Sequence, residues 1–270
     1  MSRPVVRDLL TSRGLAPRRD LGQNFVADPN TVRRIAHLAA VGPGDQVVEI
    51  GAGLGSLTLA LAETGADVTA IEVDHGLVGA LTDVVAGLAR VTVVEADATT
   101  VDWANLLGDH DHWVLVANLP YNVATPLVAD LLDRVPAIRR MLVMVQREVA
   151  ERLAAGPGTA AYGAVSVKVA YWADARIVGE VPATVFVPRP KVDSALVAIT
   201  RRPPPDVPAE PLFALVRGAF AQRRKMLRRS LRDLVTPEQF AAAAVEPTAR
   251  PEDLGLGDWC RLTEATMGGS

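Results

Sequence analysis

Trp113-Val114-Leu115-Val116-Ala117-Asn118-Leu119-Pro120-Tyr121 is a short apolar run that ends in a polar, proline-stiffened tetrapeptide. That pattern reads as a buried strand delivering side chains to the carboxyl edge of a sheet. Asn118 supplies an amide oxygen that accepts a hydrogen bond from an amino group. Pro120 stiffens the turn, so that the carbonyl of Leu119 can be aimed beside that oxygen, and Tyr121 offers a flat face for a planar ring. Two acceptors and a stacking plate are what a site needs to hold the exocyclic amine of a base for alkylation. A plain strand-end turn with a buried Tyr has the same letters, so the weight falls on what surrounds it.

Outward from this stretch, apolar β-branched runs alternate with segments of helical periodicity, the βα pattern of a parallel sheet. Strands are predicted near residues 46–50, 67–72, 91–95, 113–117 and 141–145, with two more near 166–172 and 195–200. Helices are predicted over 30–40, 56–63, 76–88, 124–134 and 146–153. The last two strands have no obvious helix between them and are expected to pair antiparallel at one edge, which makes a seven-strand layout. Arg201-Arg202-Pro203-Pro204-Pro205-Asp206-Val207-Pro208 reads as a stiff linker. Beyond it the pattern turns helical, over 210–222, 224–234, 237–244 and a last piece around 259–265. The expected organisation is an α/β domain over residues 1–202 and a small all-α domain over 203–270.

Glu49-Ile50-Gly51-Ala52-Gly53-Leu54-Gly55-Ser56 follows the first of the predicted sheet strands. Glycines there let a ligand approach the main chain closely, and at a helix N-terminus the loop presents unpaired N–H groups. Such a turn by itself also seats dinucleotides. Two details speak against a nicotinamide cofactor. The spacing is G-x-G-x-G rather than the G-x-G-x-x-G that seats a pyrophosphate, and Glu49 repels phosphate while tolerating a cation. Glu72 ends the next strand, where an acid meets ribose hydroxyls in such sheets. Asp97, after the third strand, can accept from an adenine amino group, although alone it reads as a turn acid. A glycine loop, a ribose acid, a base-binding acid and an amine-binding tetrapeptide thus follow four successive strands, all at the carboxyl edge.

A net charge of −3 over 270 residues gives no global signature of a nucleic-acid binder, so such a partner must be met by a local patch. The candidate is Arg217, Arg223, Arg224, Lys225, Arg228, Arg229 and Arg232, a run free of acids in which Arg224, Arg228 and Arg232 share one stripe at helical spacing. Arg3, Arg7, Arg13, Arg18 and Arg19 form a second basic segment. A single cysteine, Cys260, excludes an internal disulfide and suits a reducing compartment. Residues 1–14 have no uninterrupted apolar core of the kind a secretory leader carries, and no apolar run approaches the ~20 residues of a membrane span. A cytoplasmic protein with no membrane association is expected. His110-Asp111-His112 has metal-ligand residue types but no evident third ligand, so no metal site is expected.

The assembled pattern resembles the S-adenosylmethionine-dependent methyltransferases acting on adenine N6, and more narrowly the ribosomal RNA adenine dimethyltransferases. The narrower resemblance rests on Leu21-Gly22-Gln23-Asn24-Phe25, on Gln146 to Leu153 with Tyr162-Gly163, on Phe186-Val187-Pro188-Arg189-Pro190-Lys191-Val192-Asp193-Ser194, and on Phe220-Ala221-Gln222-Arg223-Arg224-Lys225 through Ser230-Leu231. It implies a Rossmann-like class I methyltransferase sheet with a small all-α C-terminal domain, and S-adenosyl-L-methionine as cofactor. By the same resemblance Gln23, Asn24, Val26, Gly51, Gly53, Glu72, Asp97, Ala98 and Asn118 would surround the cofactor. Asn118, Leu119 and Pro120 would hold the target amine, with Tyr121 and Phe186 sandwiching the base. Arg223, Arg224, Lys225, Arg228 and Arg229 would touch RNA. Val26 where Leu is commoner, Ala52 where Pro is usual, and Met226 and Arg229 depart from the family pattern. The implied reaction is dimethylation of two adjacent adenosines near the 3′ end of small-subunit (16S) ribosomal RNA, on a pre-30S particle, by a monomer. A resistance-type 23S methyltransferase and a ribosome-assembly binding factor with little turnover are alternatives, as is a DNA or protein amino-methyltransferase, which would lack the matching C-terminal domain.

Overall fold

The structure, a computed structural model, describes residues 1–18, 20–120 and 123–268. Tyr121 lies outside the described residues. The strands are β1 (Phe25–Val26), β2 (Gln46–Ile50), β3 (Asp67–Glu72), β4 (Val91–Glu95), β5 (Trp113–Asn118), β6 (Ile138–Gln146), β7 (Ala173–Val181), β8 (Phe186–Val187) and β9 (Ser194–Arg201). A seven-stranded sheet has the order β4-β3-β2-β5-β6-β9-β7, and β1 pairs with β8 in a separate two-stranded ribbon. Strands β4, β3, β2, β5 and β6 are parallel, and β9 runs antiparallel to β6.

The central strands are apolar on both faces, as a parallel sheet covered by helices requires. Val47, Val48, Val68, Ala70, Ile71 and Leu115 to Ala117 are all buried. One core side packs Leu57 and Leu61 of helix Ser56–Ala62 and Ile35 of helix Pro29–Ala39 against Val47, Val68 and Val116. Helix starts are locally encoded: the carboxylates of Asp28, Asp74 and Asp102 accept the amides of Thr31, Gly76 and Ala104. Helix Arg3–Ser12, in a segment noted above for its basic residues, docks Val6 and Leu10 against Leu54, Leu77 and Phe25.

The order reverses between β2 and β5, and a crevice opens at the carboxyl ends of strands on either side of such a switch point. Register brings those ends level: Ile50 faces Ile71 and Ala117, and Glu72 faces Glu95.

The chain divides into two compact units, Met1–Ala150 with Arg176–Arg201, and Glu151–Ala175 with the chain from Arg202 onward. The second unit thus takes in a segment expected in the large domain. Part of the reason is a correction of secondary structure. The strand expected at 166–172 is a helix, Ala164–Trp172, and the strand follows it as β7. Ser166 Oγ accepts the amide of Gly163 and donates to the carbonyl of Arg152, which starts that helix. Its Val167 and Tyr171 join Phe213, Phe240 and Trp259 in the core of the second unit.

The basic run is also corrected. Instead of a helix over 224–234 there is only Leu227–Ser230, because the amides of Leu227 and Arg228 donate to the carbonyls of Ala249 and Pro247 rather than along a helix. The stripe of Arg224, Arg228 and Arg232 therefore does not exist as a helix face.

Candidate active site

The loop after β2 is laced to the end of β3. The amides of Gly51 and Ala52 both donate to the carbonyl of Ile71, at 2.9 and 3.1 Å. Glu72 completes the lacing: its Oε2 accepts the Gly53 amide at 2.8 Å and its Oε1 the amides of Val73 and Asp74 at 3.0 Å. Burial is the main influence on this carboxyl and lifts its pKa, while the three amides hold it down. Gly53 has φ +59°, and an added Cβ would meet the Phe25 ring at 3.1 Å. Main chain therefore lines this wall closely.

The expected residues converge on one cavity of about 260 Å3 in the first unit. Gln23, Asn24, Val26, Gly51, Gly53, Glu72, Asp97, Ala98, Asn118, Leu119 and Pro120 all line it. Asn118 is fixed at the end of β5 by donating its Nδ2 to the carbonyl of Asn24 at 3.0 Å, which leaves Oδ1 as the acceptor. The Leu119 amide donates to the carbonyl of Met144. The Pro120 carbonyl accepts the amides of Val123 and Ala124, starting helix Ala124–Arg134. Asp97 Oδ1 is used by its own turn, accepting the amide and hydroxyl of Thr99.

Gln23 reaches the wall, but both ends of its amide are engaged. Oε1 accepts the Arg18 amide and Nε2 donates to Asp74, so it ties the N-terminal segment down. Phe186 is not brought to the cavity. It sits in β8 opposite Val26, is 1% exposed, and packs in the same core as Ile35 and Leu196. A ring so enclosed has no free face for a base, which corrects the expectation from the sequence.

Two lining acids, Asp20 and Glu49, stand outside the residues assigned to the cofactor, although Glu49 was read from the sequence as an acid that tolerates a cation. Asp20 also pairs with Arg18 at 2.6 Å. Glu49 is 2% exposed, its Oε2 has no hydrogen-bond partner, and burial, reinforced by the charge of Glu72, pushes its pKa up to about 8. The described lining thus contains Asp20, Glu49, Glu72 and Asp97 and no Arg, Lys or His. Such a wall repels phosphate and suits a ligand with a cationic centre and a sugar diol. Among the described residues no group of three or more His, Cys, Asp and Glu is placed to hold a metal, and no helix is long and apolar enough to cross a membrane.

In the second unit, Arg223 is held by Glu252 at 2.6 Å and by the carbonyl of Ala160, so it braces its own loop. Arg224, Lys225, Arg228 and Arg229 are exposed.

The sheet order, the glycine loop at the switch point and the acid ending β3 are those of a class I S-adenosylmethionine-dependent methyltransferase. The chain belongs to the ribosomal RNA adenine dimethylase family, which it matches over residues 14–266. It is 51% identical to the ribosomal RNA small subunit methyltransferase A of Thermobifida fusca, over 96% of this chain and 93% of that one. The protein of the same description from Kineococcus radiotolerans is 49% identical over 98% and 91%. Among solved structures, the 23S rRNA methyltransferase ErmE is similar with a TM-score of 0.71 at 26% identity, covering 90% of this chain and 99% of that one. A dimethyladenosine transferase from Plasmodium falciparum shares the fold, with a TM-score of 0.73 at 23% identity over 88% and 95%.

Proposed function

We propose that this protein transfers methyl groups from S-adenosylmethionine to N6 of two adjacent adenosines in a loop near the 3′ end of small-subunit ribosomal RNA, twice on each, during assembly of the small subunit in the cytoplasm. The observation that carries the reading is the cavity itself: four acids and no base in its described wall, with the anchored Asn118 at its edge. The greater identity to the small-subunit relatives favours that RNA over the large-subunit one.

The residues present fit the cofactor. Glu72 would hold the ribose diol, Asp97 the adenine amine through its remaining oxygen, and the main chain from Gly51 to Gly53 with Asn24 and Val26 the methionine end. Bound there, the cofactor supplies an electrophilic methyl on a cationic sulfur. Asn118 Oδ1 and the Leu119 carbonyl accept hydrogen bonds from the target amine. They favour tetrahedral geometry at a nitrogen whose lone pair is otherwise delocalised into the ring, and they fix its approach. Alignment of this kind is worth roughly 7–11 kcal/mol of barrier. Pro120 keeps that carbonyl in place, and Tyr121 is assigned the stacking face from the sequence. No dedicated base is required, because the N–H becomes acidic as the methyl arrives and its proton passes to water. A monomethylated amine keeps one N–H to donate, so a second round is possible with one of the two acceptors.

A flipped or looped base is held by its backbone, and Arg224, Lys225, Arg228 and Arg229 are the groups proposed to grip it. The family resemblance implies that the protein acts as a monomer. The test is Asn118→Ala. Methyl transfer to small-subunit particles should fall roughly 10²–10³-fold, the scale of a lost transition-state hydrogen-bonding group, with donor affinity little changed. Wild-type turnover in that variant would overturn the assignment.

A further inference from the structure

Glu49 is not used by the steps above, yet it is a buried acid in the wall of the reaction cavity. It stands on β2 opposite Ala70 of β3 and Val116 of β5, so the flanking strands give its carboxyl no polar partner at that level. Its Oε2 is without a hydrogen bond. The polar group beside it is the Thr58 hydroxyl on helix Ser56–Ala62, and the nearby charge is Glu72, of the same sign. The other titratable groups of the described wall, Asp20 and Asp97, are acids too. A carboxylate here has no counter-charge within the described protein.

Burial under these conditions lifts the carboxyl to about 8, so at neutral pH it carries its proton while the cavity holds no cation. What is missing is a positive charge. The methyl donor and the demethylated product share the ammonium of the methionine end, and the donor alone adds a second positive charge, on sulfur.

We propose that Glu49 discriminates the cationic methyl donor from its neutral-sulfur product, ionising as the donor enters and taking a proton back after the methyl has left. On donor binding, Glu49 releases its carboxyl proton to water and the carboxylate balances the sulfonium. In transfer the C–S bond breaks with its electron pair left on sulfur, the N–C bond forms, and the amine proton goes to water. The carboxylate then faces a neutral thioether, regains a proton from water, and no longer favours retention of the product. This inference rests on the cofactor assignment made above.

Calorimetric titration of the full-length protein with S-adenosylmethionine and with S-adenosylhomocysteine, in buffers of different ionisation enthalpy, counts the protons exchanged. At pH 7 the wild type should release about 0.9 proton more per donor bound than Glu49→Gln, as follows from a group titrating near 8. With the product, which lacks the charge on sulfur, the difference between the two proteins should be smaller. The preference for donor over product should fall about tenfold in the variant, the size of one modest charge pair. Equal proton counts for donor and product in the wild type, a comparison that needs no variant, would overturn the inference. So would undiminished release from a folded Glu49→Gln. Failure of both ligands to bind would instead overturn the cofactor assignment.

Discussion

Replacing Glu72 with Gln removes one carboxylate oxygen from a place that uses both. Oε2 takes the Gly53 amide and Oε1 takes those of Val73 and Asp74. A carboxamide has a single oxygen, so whichever way it turns its NH2 group meets a backbone donor. Glu72 is buried, and the displaced partner on the Gly53 side has little recourse to water. An unsatisfied buried donor costs about 1–3 kcal/mol, and a hydrogen bond to a charged acceptor exceeds a neutral one by about 1 kcal/mol. The expected destabilisation is therefore roughly 2–4 kcal/mol. On the proposed assignment the ribose diol loses a charged acceptor as well, so donor affinity should fall on the order of a hundredfold, about 3 kcal/mol. Urea unfolding followed by circular dichroism gives the first quantity and calorimetric titration with S-adenosylmethionine the second. Stability within about 0.5 kcal/mol of wild type, the range of an inconsequential surface change, together with unchanged affinity would refute this account of the loop.

Gly53→Ala places a side chain at positive φ and 3.1 Å from the Phe25 ring; strain of about 1–2 kcal/mol and a crowded wall should lower donor affinity at least tenfold, measurable in the same titration. Charge reversal of Arg224 and Arg228 should weaken binding to small-subunit RNA and reduce its salt slope by ~0.7–0.9 for each phosphate left without its cation; unchanged affinity and slope in filter binding would place the RNA elsewhere. The buried Glu49 carboxyl is raised from 4.5 to about 8 in the folded chain, so the ligand-free protein binds a proton that the unfolded chain does not between those values. Its stability contribution is therefore lost as pH rises through that window, on the order of a few kcal/mol in all. The melting temperature of Glu49→Gln should exceed that of wild type by more at pH 8 than at pH 5, and a gap independent of pH would contradict this.

Much of the catalytic unit can be read from local sequence. Continuous apolar runs such as Val114–Ala117 mark strands buried on both faces, and the acids and glycines at their ends are placed by strand register alone. What escaped depends on long-range packing. Val165, Val167, Val169 and Tyr171 alternate with more polar residues and imitate a strand, but the Ser166 bonds and the core around Trp259 make the segment helical. The strand β7 that follows is largely exposed and has little apolar pattern to reveal it. The positively charged run around Arg224 has helical composition, and carbonyls from residues 247 and 249 interrupt it. Phe186 belongs to a motif whose spacing says nothing of which way the ring turns, and pairing of β8 with β1 buries it. Glu49 was visible as a strand-end acid, whereas the unpartnered state of its Oε2 is a property of three strands and a helix together.

The most direct measurement is mass spectrometry of ribosomal RNA after purified small and large subunits are incubated separately with the protein and methyl-labelled S-adenosylmethionine. The account predicts N6,N6-dimethyladenine at two neighbouring positions near the 3′ end of the small-subunit RNA. Label confined to large-subunit RNA, or none in either subunit from a protein that binds the donor, would contradict it.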